Sequence, residues 1–538
     1  MKFDLGAYSK IVSEKIDQLT SERIIERIWE KDFTVWGNSP DEISNRLGWL
    51  DCIEVTKKSF EEIYSFVEDI KKEGFTDALL MGMGGSSLAP EVFRLTFGTK
   101  KDFLDLHILD STHPDTIFEY DKKLNPDKTL YIVSTKSGGT VETMSFMKYF
   151  FTSVSKKLGQ ENASKHFIAI TDPGSGLEET AKKLNFRKIF SNDPDIGGRF
   201  SALSLFGIVP AALIGVDIEN LFDEALKLKN ESKLLSVDKN SSAMIGVILG
   251  SLAQSGIDKV TFITSPKIKY LGGWLEQLIA ESTGKNGKGI LPVDLEPNVP
   301  VSDYGKDRVF VYLKISGDDF FDKKVGEIKA AGFPFIELEM NNVYLLGAEF
   351  FRWEFATAVA GYVLGVQPFD QPNVESAKII ARSMVKEFQE KGKLPELKTE
   401  NDENTIPSFL SDTKSGKNYV AIQAYLKPDK KIWQELQQLR LKILQKYKVA
   451  TTLGYGPRFL HSTGQLHKGD SGNGFFIQFV SEIENDLPIP DEAGREGSSI
   501  SFGTLIKSQA LGDRQALIDN KRRVLTVDLG KNDFDWIF

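Results

Sequence analysis

The sequence predicts an α/β protein with two doubly wound parallel-sheet domains and a smaller α/β region at the C-terminus. Three observations carry this. Short apolar runs alternate with amphipathic segments from about Asp77 to Asp195, and a second series of the same kind follows from residue 259. A polar stretch rich in Pro and Gly then breaks the pattern near 395, and further apolar runs follow it. Continuous apolar strands separated by helices imply parallel sheets covered on both faces.

Taken in order, residues 1–40 read as an N-terminal helical segment and 41–230 as the first domain. Its strands are DALLMGM, LDLHILD, TLYIVST and HFIAITD. The helical stretch from about Phe200 to Ser255 leads into the second domain, 231–394. That domain holds KVTFITS, a helix through Trp274 and Glu281, DRVFVYLKI, FPFIELEM and a long helix from Ala348 to Val366. The C-terminal region, 395–538, contributes YVAIQAYL, a charged helix at 430–447, FFIQFVSEI and RRVLTVDL.

A chain of 538 residues exceeds what one hydrophobic core serves, and 41% hydrophobic with 27% charged residues is an ordinary globular composition. The net charge of −9 argues against a general nucleic-acid binder, which needs clustered Lys and Arg. Cys52 is the only cysteine, so it forms no intramolecular disulfide and reads as a small buried hydrophobe in a reducing compartment. The N-terminus lacks an apolar core of signal-peptide length, and the longest apolar stretch, Leu205 to Val216, falls short of a membrane span. A cytoplasmic protein without a membrane anchor is the expectation.

Two glycine- and hydroxyl-rich turns follow apolar strands. In MGMGGSSLAPEVF, Gly82, Gly84 and Gly85 precede Ser86 and Ser87 at the start of a helix, where backbone amides and the helix dipole favour an anion. In STKSGGTVET, Thr135, Lys136, Ser137 and Thr140 surround Gly138 and Gly139 before a second helix. Both turns lie at the C-terminal ends of parallel strands, where open α/β sheets bind ligands, so Gly85, Ser86, Thr135, Lys136, Ser137 and Thr140 are the candidate phosphate contacts. Neither turn ends in GK[ST]. A dinucleotide-dependent oxidoreductase is an alternative, because Gly82-x-Gly84 follows a strand and Asp110 ends the next one; against it, Ser87 stands at the third glycine position.

Three further segments resemble the glucose-6-phosphate isomerase family: DIGGRFSALSLFG at 195–207, EQLIAESTGK at 276–285 and FDQPNVESAK at 369–378. With the two turns, the resemblance covers about residues 35–395 and implies two sugar-isomerase (SIS-type) domains. It implies aldose–ketose isomerisation of glucose 6-phosphate and fructose 6-phosphate through a cis-enediol, without cofactor or metal. Glu281 then takes the place of the base, Arg199 of the cation that stabilises the enediolate, and Lys378 of the lysine that helps ring opening. Gln277, one helical turn before Glu281, and Gln371 take the places of substrate-contacting glutamines. Asn373 departs from the family's glycine or alanine. The family's dimeric habit makes a homodimer the expected assembly. A noncatalytic sugar-phosphate-binding module is the alternative from a different class, and it gives no reason to keep Glu281, Arg199 and Lys378 together.

The family's ring-opening histidine normally lies between the glutamate and the lysine, yet no histidine lies between Glu281 and Lys378. Of the five histidines, His461 and His467 sit in the glycine-punctuated segment GYGPRFLHSTGQLHKGDSG, and His461 is the expected replacement. This C-terminal region resembles the isomerase half of transaldolase/glucose-6-phosphate isomerase fusions.

Overall fold

The computed structural model describes residues 1–531, 534, 536 and 537. The chain opens with β1 (Lys2–Asp4), where helix alone was expected, and the helix Ser9–Ser21 follows. At three residues, β1 is too short to show a period, and only its distant partner defines it.

The first sheet contains β2 (Asp77–Gly82), β3 (Asp105–Leu109), β4 (Thr129–Ser134), β5 (Phe167–Thr171) and β6 (Lys188–Ser191), in the order β3-β2-β4-β5-β6 and parallel throughout. Every residue of β4 and β5 is buried, which is why these strands are continuously apolar rather than alternating. The strand order reverses direction at β2, between β3 and β4. The crevice outside the strand ends there is the natural ligand site of a doubly wound sheet. Both hydroxyl-rich turns leave the sheet at that crevice, since Gly82 of β2 pairs in register with Ser134 of β4.

The second sheet contains β7 (Lys259–Thr264), β8 (Leu291–Val293), β9 (Arg308–Ile315) and β10 (Phe335–Met340), parallel in the order β10-β9-β7-β8. β1 closes its edge antiparallel to β10, so the N-terminal segment is part of this layer. One continuous apolar core joins the two sheets through the helices between them, from Leu5 to Phe369. The apolar run from Leu205 becomes the fully buried helix Leu205–Leu213, and among the described residues no helix is long and apolar enough to cross a membrane.

The C-terminal region is a third parallel sheet of β11 (Tyr419–Tyr425), β12 (Ala450–Tyr455), β13 (Gly474–Val480) and, after the antiparallel pair β14 (Pro488–Ile489) and β15 (Ile500–Ser501), β16 (Arg523–Asp528). The strand order is β12-β11-β13-β16. Three strands carry too little apolar signal to stand out in the sequence: β6 has four residues, β8 has three including a proline, and β12 is ATTLGY. The helix Pro372–Lys391, which bears Lys378, packs along the helix Phe502–Asp519 and so ties the second domain to the C-terminal region.

Candidate active site

Glu281 lies on the helix Leu271–Thr283, almost fully buried, with Gln277 one turn earlier on the same face. The Gln277 amide donates to Glu281 Oε2 at 3.2 Å and to the His461 backbone carbonyl at 2.8 Å. Arg199 stands 3.5 Å from the same carboxylate oxygen. Its guanidinium is fixed on every side: Nε donates to Ser282 Oγ at 2.9 Å, Nη1 to Gln371 Oε1 at 2.7 Å, and Nη2 to the Pro368 and Asp370 carbonyls at 2.6 and 2.8 Å. Burial lowers the Arg199 pKa, with Glu281 and Asp370 opposing the shift. A cation held this rigidly beside a carboxylate is preorganised for charge that develops next to it.

Arg199 leaves the first domain in a 3-10 turn, Gly198–Phe200, pressed against the first hydroxyl-rich turn. A Cβ on Gly85 would sit 1.9 Å from the Gly198 carbonyl oxygen. Only glycine allows that approach, so the turn's glycines serve the joint between the anion site and the arginine as well as the turn itself. Gly85→Ala should therefore cost roughly 1–3 kcal/mol of stability by overpacking. Thermal unfolding and KM measured on the same preparation check it, and a wild-type value for both contradicts it.

The second hydroxyl-rich turn caps the helix Val141–Leu158, whose N-cap, Thr140, makes no side-chain bond to the helix amides. The Thr140 hydroxyl pairs with Thr135 Oγ1 at 3.1 Å instead, and Ser137 Oγ accepts from the Gly139 amide at 3.2 Å. Lys136 turns away from this cradle to Asp172 and, at 2.6 Å, to the Pro194 carbonyl. These bonds tie the turn to the segment leading into Arg199. In the first turn, Ser86 O accepts from Ser134 Oγ at 3.3 Å, which links the two cradles.

His461 reaches this site from the C-terminal region of the same chain. It ends the 3-10 turn Arg458–His461, which Arg458 anchors to the first domain through Glu91 and, at 3.2 Å, Asp110. Asp110 is thus engaged by an arginine and by Ser87, 3.4 Å away, and it loses the role of a ribose-binding acid. His461 Nε2 lies 3.1 Å from Glu142 Oε1, on the first turn of the helix after Thr140. An ionised carboxylate only accepts, so in this bond Nε2 is the donor. Burial raises the Glu142 pKa, but the charge and hydrogen bond of His461 outweigh it and hold the carboxyl below its ordinary value. Gln509 Nε2 also donates to Glu142 Oε1, at 2.7 Å.

Ser137, Thr140, Glu142, Lys378 and His461 line one cavity of about 320 Å³. His467 faces the core of the C-terminal region, with Nδ1 3.3 Å from Gln423 Nε2 and its ring on Phe476. Cys52 is buried, and burial pushes its thiol pKa up.

Sequence reasoning missed Glu142, Lys285 and Asp370. Lys285, fully buried after Glu281, donates to the Gln367 and Asp370 carbonyls and to Asp370 Oδ1 at 2.6–2.7 Å. Burial, with Arg199 nearby, lowers its pKa to about 8. Glu142 reads in sequence as an ordinary acid of a helix first turn, and only the fold reveals its histidine.

Residues 54–292 match the family model described as phosphoglucose isomerase, a span that contains both hydroxyl-rich turns, Arg199, Gln277 and Glu281. Over this span the chain is similar to the phosphoglucose isomerase family. Glucose-6-phosphate isomerase from Mycoplasmopsis pulmonis is 29% identical over 423 residues, covering 70% of this chain and 96% of the relative. The Streptococcus pyogenes serotype M6 enzyme of the same name is 28% identical over 434 residues, 69% and 93% of the two chains. A crystal structure of a glucose-6-phosphate isomerase from Chlamydia trachomatis superposes with a TM-score of 0.60 at 19% identity, over 70% of this chain and 86% of the other. A Thermus thermophilus hypothetical protein superposes with a TM-score of 0.60 at 23% identity, over 71% and 99%. Both structures share the fold of this chain.

Proposed function

We propose that the chain interconverts glucose 6-phosphate and fructose 6-phosphate, with Glu281 as the base that moves a proton between C2 and C1. The observation that carries this is the buried Glu281 carboxylate, held by Gln277 and facing an arginine whose three nitrogens all donate to neighbouring groups. The phosphate rests on the amides and hydroxyls of the turns at Gly85–Ser86 and Thr135–Thr140. His461, oriented by Glu142, and Lys378 exchange protons at O5 and the anomeric hydroxyl during ring opening. Glu281 then takes the C2 proton of the open-chain aldose. Arg199 stabilises the enediolate, and Glu281 returns the proton to C1.

The test is a coupled assay of purified protein with fructose 6-phosphate. Formation of glucose 6-phosphate supports the reading, and binding of the sugar phosphate without product supports a noncatalytic binding module instead.

A further inference from the structure

We infer that Gln465 is a positioning residue that fixes Glu281, Lys378 and His461 in mutual register; the inference rests on the isomerase reading above. The three groups sit on three chain segments that converge on this one side chain. Gln465 belongs to the short helix Gly464–Gly469, four residues after His461, and is fully buried. Its Nε2 donates to the Gly284 carbonyl at 2.9 Å, at the end of the helix that carries Glu281. The same nitrogen donates to Asn373 Oδ1 at 2.7 Å, while Gln465 Oε1 accepts from the Asn373 backbone amide at 2.8 Å. Asn373 is the second residue of the helix that carries Lys378.

The amide thus uses both faces. The reciprocal pair with Asn373 locks the lysine helix to the histidine segment, and the bond to Gly284 locks both to the base helix. The Asn373 side chain supplies an acceptor that glycine or alanine at this position would lack. The packing around the joint leaves no slack, because a Cβ on Gly284 would sit 2.3 Å from Leu466 Cα. A carboxylate cannot replace the amide, since it would present oxygens to the Gly284 carbonyl and Asn373 Oδ1 with nothing to donate.

The phosphate cradles are built on the first domain, and the hydrogen bonds of Gln465 run to Gly284 and Asn373 rather than to either turn. Loosening it misaligns the proton-transferring groups and spares substrate anchoring. Gln465→Leu should lower kcat on the order of a hundredfold, the effect of a misplacement of about 1 Å, and leave KM for fructose 6-phosphate within about twofold. Asn373→Ala, at a half-buried position, should lower kcat in the same direction. The double variant should lose little more than the worse single one, because both changes break one joint.

Unfolding midpoints recorded on each variant confine the comparison to folded protein. Wild-type kcat in folded Gln465→Leu, a KM rise that matches the kcat loss, or fully additive losses in the double variant would overturn the inference. Should Gln465→Leu not fold, Asn373→Ala decides by the same kcat and KM criteria. An inactive wild-type protein would instead overturn the isomerase reading.

Discussion

Glu281→Gln is expected to cost at least roughly a hundredfold to ten-thousandfold in kcat, while fructose 6-phosphate still binds. The amide keeps the volume of the carboxylate and can still contact Gln277, but it has no basicity with which to take the C2 proton. Binding should survive because the proposed phosphate contacts lie on turns of the first domain, and Arg199 keeps its bonds to Ser282, Gln371, Pro368 and Asp370. Equilibrium binding by calorimetry together with steady-state rates separates the two effects. Activity within a few-fold of wild type would remove Glu281 from the role of base, and loss of binding would make it a structural partner of the arginine.

His461→Ala is the second large effect. The Glu142–His461 pair is partly buried at 3.1 Å, and on the proposed mechanism the carboxylate orients the imidazole for ring opening. Removing the imidazole should slow turnover of the cyclic sugar severely. Exchange of the C2 proton from substrate already in the open-chain form should suffer much less, because Glu281 and Arg199 remain in place. Equal losses in both steps would show that the residue supports the fold or the base, and full activity would leave ring opening to Lys378 or water.

Much of this was legible because it is local. Glycines and hydroxyls between a strand and a helix mark an anion site wherever the strands pair, and Gln277 and Glu281 share a helix face by the i,i+4 spacing alone. Elimination made His461 the candidate for the missing histidine, since the gap between Glu281 and Lys378 left it in a segment rich in glycine, and the fold places it beside Glu142. What escaped the sequence is what depends on distant partners. Glu142 acquires its meaning only when residue 461 arrives beside it, and Lys285 only when the 367–370 loop folds over the base helix. Lys136 is similar, because only the fold reveals Asp172 and the Pro194 carbonyl beside this lysine of a hydroxyl-rich turn. β1 likewise exists only through β10, more than three hundred residues away.

The most direct test of the central claim is solvent isotope incorporation during isomerisation in deuterium oxide. With fructose 6-phosphate as substrate, proton transfer through an enediol on Glu281 predicts glucose 6-phosphate carrying deuterium at C2 in part of the product, detected by NMR or mass spectrometry. Glucose 6-phosphate free of deuterium under conditions in which Glu281 exchanges with solvent, or no glucose 6-phosphate at all, would contradict it.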